Sequence, residues 1–283
     1  MRRRLFDLVF TVVAALAAIG AVTLFLAILA VVVYRGFDAL SWRFLVEDMR
    51  AAGAEGGIVY QIAGTFILVL TATLTAVPLA AGAGIWLAMY AKEGARRSFE
   101  SVLHAVNGIP SIVFGLIGFA FFFDLLQWKK SWLAGGLLLA LMILPTLVVA
   151  FVEKLRSIPR ETIDAAFGLG LRRGDVVRTV LLPQGAAGLV TGTLLGIARA
   201  AGETAPIMFT AAIFSGATVP RAVADSPVLA LPYHIFVLAQ DSFDPAMRSG
   251  MWGTAAVLVV LVTCVSALAI PLRLKIAQEA ARD

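Results

Sequence analysis

Residues 131–152 read SWLAGGLLLALMILPTLVVAFV, an uncharged run set between Lys129-Lys130 and Glu153-Lys154. An α-helix rises about 1.5 Å per residue, so about twenty such residues cross the ~30 Å of bilayer hydrocarbon. Runs of the same kind lie at 8–33, 58–91, 101–123 and 249–272. A further apolar region at 186–214 carries Arg199 and Glu203 near its middle. Intramembrane charges are rare and functional, so this region is read as a working span. The expectation is an all-α integral membrane protein with six transmembrane helices.

Composition agrees. The chain is 60% hydrophobic and 14% charged, against about 45–50% and about 25% for a soluble domain. Its net charge of +5 is assigned to membrane orientation and anionic headgroups, not to nucleic acid. Cys264 is the sole cysteine, so no internal disulfide or cysteine-based metal cluster can form. His104 and His234 have no metal-ligand spacing, and no glycine-rich loop ends in Gly-Lys-Ser/Thr. No metal, cofactor or ATP site is expected within the chain.

Lysine and arginine set the orientation. With the N-terminus inside, the inner segments hold Arg2, Arg3 and Arg4; Lys92, Arg96 and Arg97; Lys154, Arg156, Arg160, Arg172, Arg173 and Arg178; and Arg273, Lys275 and Arg282. The outer segments hold fewer: Arg35, Arg43, Arg50, Lys129, Lys130, Arg221 and Arg248. Both termini are therefore expected in the cytoplasm, with Lys129 and Lys130 against the trend. The first span is read as an uncleaved anchor, because its apolar run exceeds the ~7–15 residues of a signal-peptide core. Residues 1–57 form this anchor and an outer loop, 58–274 a core of five spans, and 275–283 a cytoplasmic tail.

Two connections are long, an inner one at 153–185 and an outer one at 215–248. The inner one reads as short helices at the membrane surface. The outer one, rich in proline, contains an apolar piece at 228–238 too short to span, expected to dip into the interface or cover the pore as a lip.

In the inner connection Asp164-Ala165-Ala166 is followed at fixed spacing by Gly170, Val180 and Leu182-Pro183. Small Ala165 and Ala166 permit close docking, and Gly170 suits the turn out of a helix. The spacing is similar to the cytoplasmic EAA loop of ABC importer permeases, with Asp for Glu and Val for Ile. An amphipathic connector without a partner is the competing reading.

In the fifth expected span Arg199 lies about 20 Å from either end, too deep to reach water by extending its side chain. Glu203, one turn on, can share its helix face; a purely structural ion pair is the competing reading. Gly188, Gly192 and Gly196 form a smooth ridge for close helix approach, here expected at a subunit interface, and Pro206 is expected to bend the helix beyond the pair. A guanidinium matches oxyanion oxygens bidentately, with Glu203 pairing it when the path is empty.

The stretch Ala198-Arg199-Ala200-Ala201-Gly202-Glu203-Thr204-Ala205-Pro206 resembles the fifth-helix signature of PstA-type phosphate permeases, as Gly108-Ile109-Pro110-Ser111-Ile112-Val113-Phe114-Gly115 resembles their third-span motif. The resemblance covers roughly 58–272. It implies a type I ABC importer fold in a bacterial inner membrane, with a PstC-type second permease, two cytoplasmic ATPases and an external phosphate-binding protein as partners. It also implies a phosphate path lined by Arg199 and Glu203, with Thr204 beside them. Ser111, next to Pro110, is expected to leave backbone donors near that path. The alternatives are a permease for sulfate, molybdate or phosphonate, and a membrane-embedded enzyme using Glu203 with Thr204.

Overall fold

Two of the prolines, Pro110 and Pro206, mark breaks in the apolar runs, whereas Pro78, Pro145 and Pro271 lie inside continuous helices. The computed structural model describes residues 2–216, 220, 222–241 and 243–279. Arg221, Arg282 and the end of the expected tail lie outside them. In chain order the helices are α1 (Arg2–Phe37), α2 (Trp42–Val46), α3 (Val59–Met89), α4 (Glu93–Asn107), α5 (Ser111–Phe119), α6 (Trp132–Arg156), α7 (Arg160–Gly168), α8 (Arg173–Val176), α9 (Leu182–Gly202), α10 (Ala205–Thr210), α11 (Leu231–Gln240) and α12 (Pro245–Glu279). A two-residue hairpin, Met49–Arg50 against Glu55–Gly56, is the only sheet among the described residues.

Among the described residues five helices are long and apolar enough to cross a membrane, and the bent pair Glu93–Asn107 + Ser111–Leu125 makes a sixth crossing if taken as one span. The C-terminal end of α1 packs on the N-terminal part of α12: Arg35 lies over the Trp252 ring at 5.3 Å, and a methyl added at Gly36 would stand 2.6 Å from Ala256 Cβ. The N-terminus of α1 and the C-terminus of α12 therefore share one side. Along α1, residues such as Leu16, Ile19, Val22, Phe25 and Ile28 are exposed around the helix. Such a surface is tolerable in lipid and not in water.

The core is built on α6. Ala72, Ala76 and Ala80 of α3 are fully buried at intervals of four, in one cluster with Leu139, Ile143 and Leu147 of α6. Small side chains bring helices close enough for dispersion contact, which substitutes for the hydrophobic drive missing between helices in lipid. On its other flank α6 receives Gly188, Gly192 and Gly196 of α9: added methyls would meet Lys154 and Ala150, Leu147 and Ala150, or Leu147 and Ile143. The glycine ridge is thus occupied by a helix of the same chain and not by another subunit.

Three sequence expectations are corrected. The span at 101–123 is two helices at 96°, because Pro110 has no amide to continue the ladder and stands extended at φ −58°, ψ 137°. The span at 186–214 stops at Gly202, and Pro206 sits in the first turn of α10. A continuing helix would drive the Pro206 ring against the Gly202 carbonyl, so the chain breaks at Glu203, before the proline. The inner connection is shorter than 153–185 and is built around α7, since α6 continues to Arg156 and unbroken helical structure leads from Arg173 into α9. A π-helical stretch, Val177–Leu181, joins α8 to α9 just ahead of Pro183, so Leu182-Pro183 belongs to the long helix and not to a loop. At the other end of the chain, α12 runs on to Glu279.

The outer connection contains α11, which packs on α12 and α3. Its first amide, of Leu231, donates to Thr65 Oγ1 at 2.8 Å. Lys129 and Lys130, against the charge trend, have structural uses. Lys129 pairs with Asp225 at 2.6 Å, while Lys130 Nζ donates to Met208 O and Ala212 O, at 2.7 and 3.0 Å, at the C-terminal end of α10.

Candidate functional site

The depth of Arg199 follows from the ridge beneath it. Gly196 packs at the level of Ile143 and Leu147, close to the midpoint of α6, and Arg199 is one turn farther along α9. At ~1.5 Å per residue that level lies about 15–20 Å from either end of α6. The chain breaks there: α9 ends at Gly202, Glu203 is extended (φ −76°, ψ 126°), and Thr204 precedes α10 without a side-chain capping bond.

The second break meets the first at the same depth. Gly115 of α5 is so close to α10 that an added methyl would stand 2.9 Å from Ala205 O, and one at Gly118 would stand 3.1 Å from Thr210 Cγ2. The two short helices therefore run side by side in the same direction from a common level. Ser111, half-buried, opens α5, and the first amides of a helix have no intrahelical acceptor. Broken helices of this kind are tolerated in membranes where they line a cavity or are covered by protein.

Arg199 stands where these ends meet. Its Nε lies 3.4 Å from Glu203 Oε1, and its Nη1 donates to Asn107 Oδ1 at 2.7 Å. The side chains of Arg199 and Glu203 keep 30% and 17% of their exposure, so the cation is neither sealed in the core nor fully open. The structure thus places Arg199, Glu203, Thr204 and Ser111 around two adjoining breaks. Asn107 was not singled out in the sequence: its one signal is its place before Gly108-Ile109-Pro110, and its partner is 92 positions away.

The expected coupling elbow is a separate place. Asp164 and Ala165 are exposed on α7, whereas Ala166 is buried in a cluster with Phe151, Leu155, Ile158, Val176, Val180 and Leu181. Only one of the two alanines is open to a docking partner; the other anchors the elbow to its own chain. Gly170 has φ +84°, a left-handed conformation that favours glycine, and turns the chain towards α8. Phe167 and Leu169 are exposed at the tip, Leu169 by 84%. Among the described residues no group of three His, Cys, Asp or Glu side chains is placed to hold a metal.

The family described as "Binding-protein-dependent transport system inner membrane component" matches residues 80–272. Over 224 residues the chain is 34% identical to the Phosphate transport system permease protein PstA 2 of Mycobacterium bovis, covering 76% of this chain and 73% of that one. Over 222 residues it is 30% identical to the Probable ABC transporter permease protein YqgI of Bacillus subtilis, covering 78% and 74%. Among solved structures, an inward-facing form of the MetNI methionine ABC transporter superposes with a TM-score of 0.60 at 16% identity, over 77% of this chain and 97% of that one. At that identity the likeness concerns the fold.

Proposed function

Since the chain belongs to the binding-protein-dependent inner-membrane components, and is a multi-pass permease component of an ABC importer, we propose that its cargo is inorganic phosphate and that Arg199 is the cation the anion meets at mid-membrane. The observation that carries this reading is the mid-depth guanidinium at two coincident helix breaks. The PstA relatives supply the cargo.

A buried charge costs several kcal/mol in desolvation even when paired, and an apolar pair would pack α9 more cheaply. The cost is explained if the charge is used. In the empty path Glu203 takes the Nε edge of Arg199. An arriving phosphate is a stronger acceptor with several oxygens and takes the guanidinium bidentately, while Glu203 keeps the empty site from acting as an open anion well. Thr204 and Ser111 supply neutral polar groups at the same level.

The permease core is assigned to 58–274, with 1–57 an added anchor. A second permease subunit completes the path, two cytoplasmic ATPases hydrolyse ATP, and an external binding protein delivers phosphate. This chain performs no catalysis. The exposed tip of α7, with Asp164, Ala165, Phe167 and Leu169, is the part that docks on an ATPase, and Gly170, Leu182 and Pro183 fix its angle to the long helix.

The test is uptake of radiolabelled phosphate by liposomes holding the complete transporter, purified through a tag on this chain. Arg199→Ala, assembled normally, is expected to lose at least about a hundredfold in uptake, as loss of ~2.7 kcal/mol at the barrier implies. Undiminished ATP-driven uptake refutes the role of Arg199. Uptake of sulfate in preference to phosphate refutes the cargo.

A further inference from the structure

Asn107 has no role in the reading above, yet it makes the shorter of the two side-chain bonds to Arg199, 2.7 Å against 3.4 Å for Glu203. It is the last residue of α4, and the chain turns sharply after it. Gly108 N–H bonds to His104 O and Ala105 O, at 3.2 and 3.1 Å, and Ile109 N–H to Val106 O at 3.2 Å, so the backbone on both sides of the amide is held. The helix behind it is braced: Arg96 Nη2 donates to Leu87 O at 3.3 Å, Phe99 meets Trp86 edge-on at 5.7 Å, Glu100 pairs with Arg156, and Leu103 is buried. Asn107 is therefore the tip of a fixed arm, reaching from the inner half of the molecule to the mid-depth breaks.

The chemistry of the side chain matters as much as its place. A guanidinium has five N–H donors, and the two protein bonds occupy one at Nε and one at Nη1. The neutral amide oxygen accepts from Nη1 and helps to fix the plane of the group without cancelling its charge. A carboxylate in the same place would leave Arg199 between two anions. With Oδ1 committed to Arg199, the Nδ2 amino group makes no bond among the described residues, and it carries two further donors beside the guanidinium.

We infer that Asn107 is a positioning and specificity residue of the anion site, which holds the Arg199 guanidinium in plane and adds its own amide donor for a tetrahedral oxyanion. The inference rests on the phosphate-path reading of Arg199. It makes the site a composite of both breaks, with donors from the end of α4 and from the last turn of α9. Neutrality at position 107 keeps the empty site at one cation and one carboxylate.

Kinetics of phosphate uptake by the reconstituted complete transporter test this, with radiolabelled orthophosphate as the probe. Asn107→Ala is expected to raise KM about tenfold, the equivalent of ~1.4 kcal/mol, with kcat within about twofold, because positioning is lost while the cation remains. Asn107→Asp, nearly the same shape, is expected to raise KM further by placing a second anion on Arg199. The double change Asn107→Asp with Glu203→Gln moves the carboxylate from one side of Arg199 to the other and is expected to bring KM back to within about threefold of the Asn107→Ala value. A structural role for Asn107 would not show that rescue.

Asn107→Asp with unchanged KM, or a double variant worse than either single one, overturns the inference. If Arg199→Ala abolishes uptake while Asn107→Asp does not alter KM, positioning fails and the phosphate path stands. If Arg199→Ala is neutral, both fall.

Discussion

Replacing Gly188 by alanine tests the seam that sets the depth of Arg199. An added methyl would stand 2.9 Å from Ala150 O and 3.0 Å from Lys154 Cγ, and closer still to Lys154 Cβ. The first and last are backbone or backbone-fixed atoms, so no rotamer change relieves the contact. Carbon to oxygen needs about 3.3 Å or more, so α9 must move out by about 0.5 Å or more. Gly185, Gly192 and Gly196 are in similarly close contact, so separation at one point peels the rest. Overpacking of this kind costs about 1–3 kcal/mol, partly offset by the ~0.8–1 kcal/mol by which alanine is the better helix former. Gly82, in α3, is the control: nothing lies within 4 Å of an added methyl there, so only the helical gain applies. Thermal unfolding of the two variants in the same detergent should place Gly188→Ala below Gly82→Ala, with ~1 kcal/mol corresponding to about 2–4 °C on the scale of soluble domains. Equal or reversed midpoints would refute the close-packed seam.

Two further outcomes are expected. Thr65→Val keeps the shape of the side chain but removes the acceptor of the buried Leu231 amide and the hydroxyl donated to Gln61 O, both at 2.8 Å, costing about 1–3 kcal/mol in unfolding free energy; a loss below ~0.5 kcal/mol would show that α11 is held otherwise. His234, buried on α11 and stacked on Phe214 at 5.6 Å, has its pKa pushed down by burial from 6.5 to about 4. Between those values the unfolded chain binds the extra proton, so stability is full above pH 6.5 and falls as pH drops, by up to ~1.4 kcal/mol per unit. His234→Phe should flatten that slope in melting curves taken from pH 7 to pH 5, and an unchanged slope would remove His234 as its source.

The membrane class and the count of apolar runs were legible because they depend on local quantities: run length and absence of charge. The turn at Gly170 was legible for the same reason, since a left-handed backbone position is a property of one residue. The ridge at Gly188, Gly192 and Gly196 could be read as a close-contact face, but not whose helix it faces. A bend at Pro206 was legible, but full breaks at 108–110 and 203–204 were not, because both lie inside runs that satisfy the length test for a single span, and hydropathy does not register a missing amide. Asn107 was hidden for a stronger reason. Its meaning is a bond to Arg199 across 92 positions, and no local pattern encodes which distant side chain will be opposite.

Chain chemistry alone thus determined that this protein lives in lipid and that a costly cation lies deep within it. Tertiary structure decided that the cation stands at the meeting of two broken helices and that a neutral amide holds it. The physical reason is that solvation and backbone preference are additive along a chain, whereas the aim of a guanidinium depends on which elements fold against it.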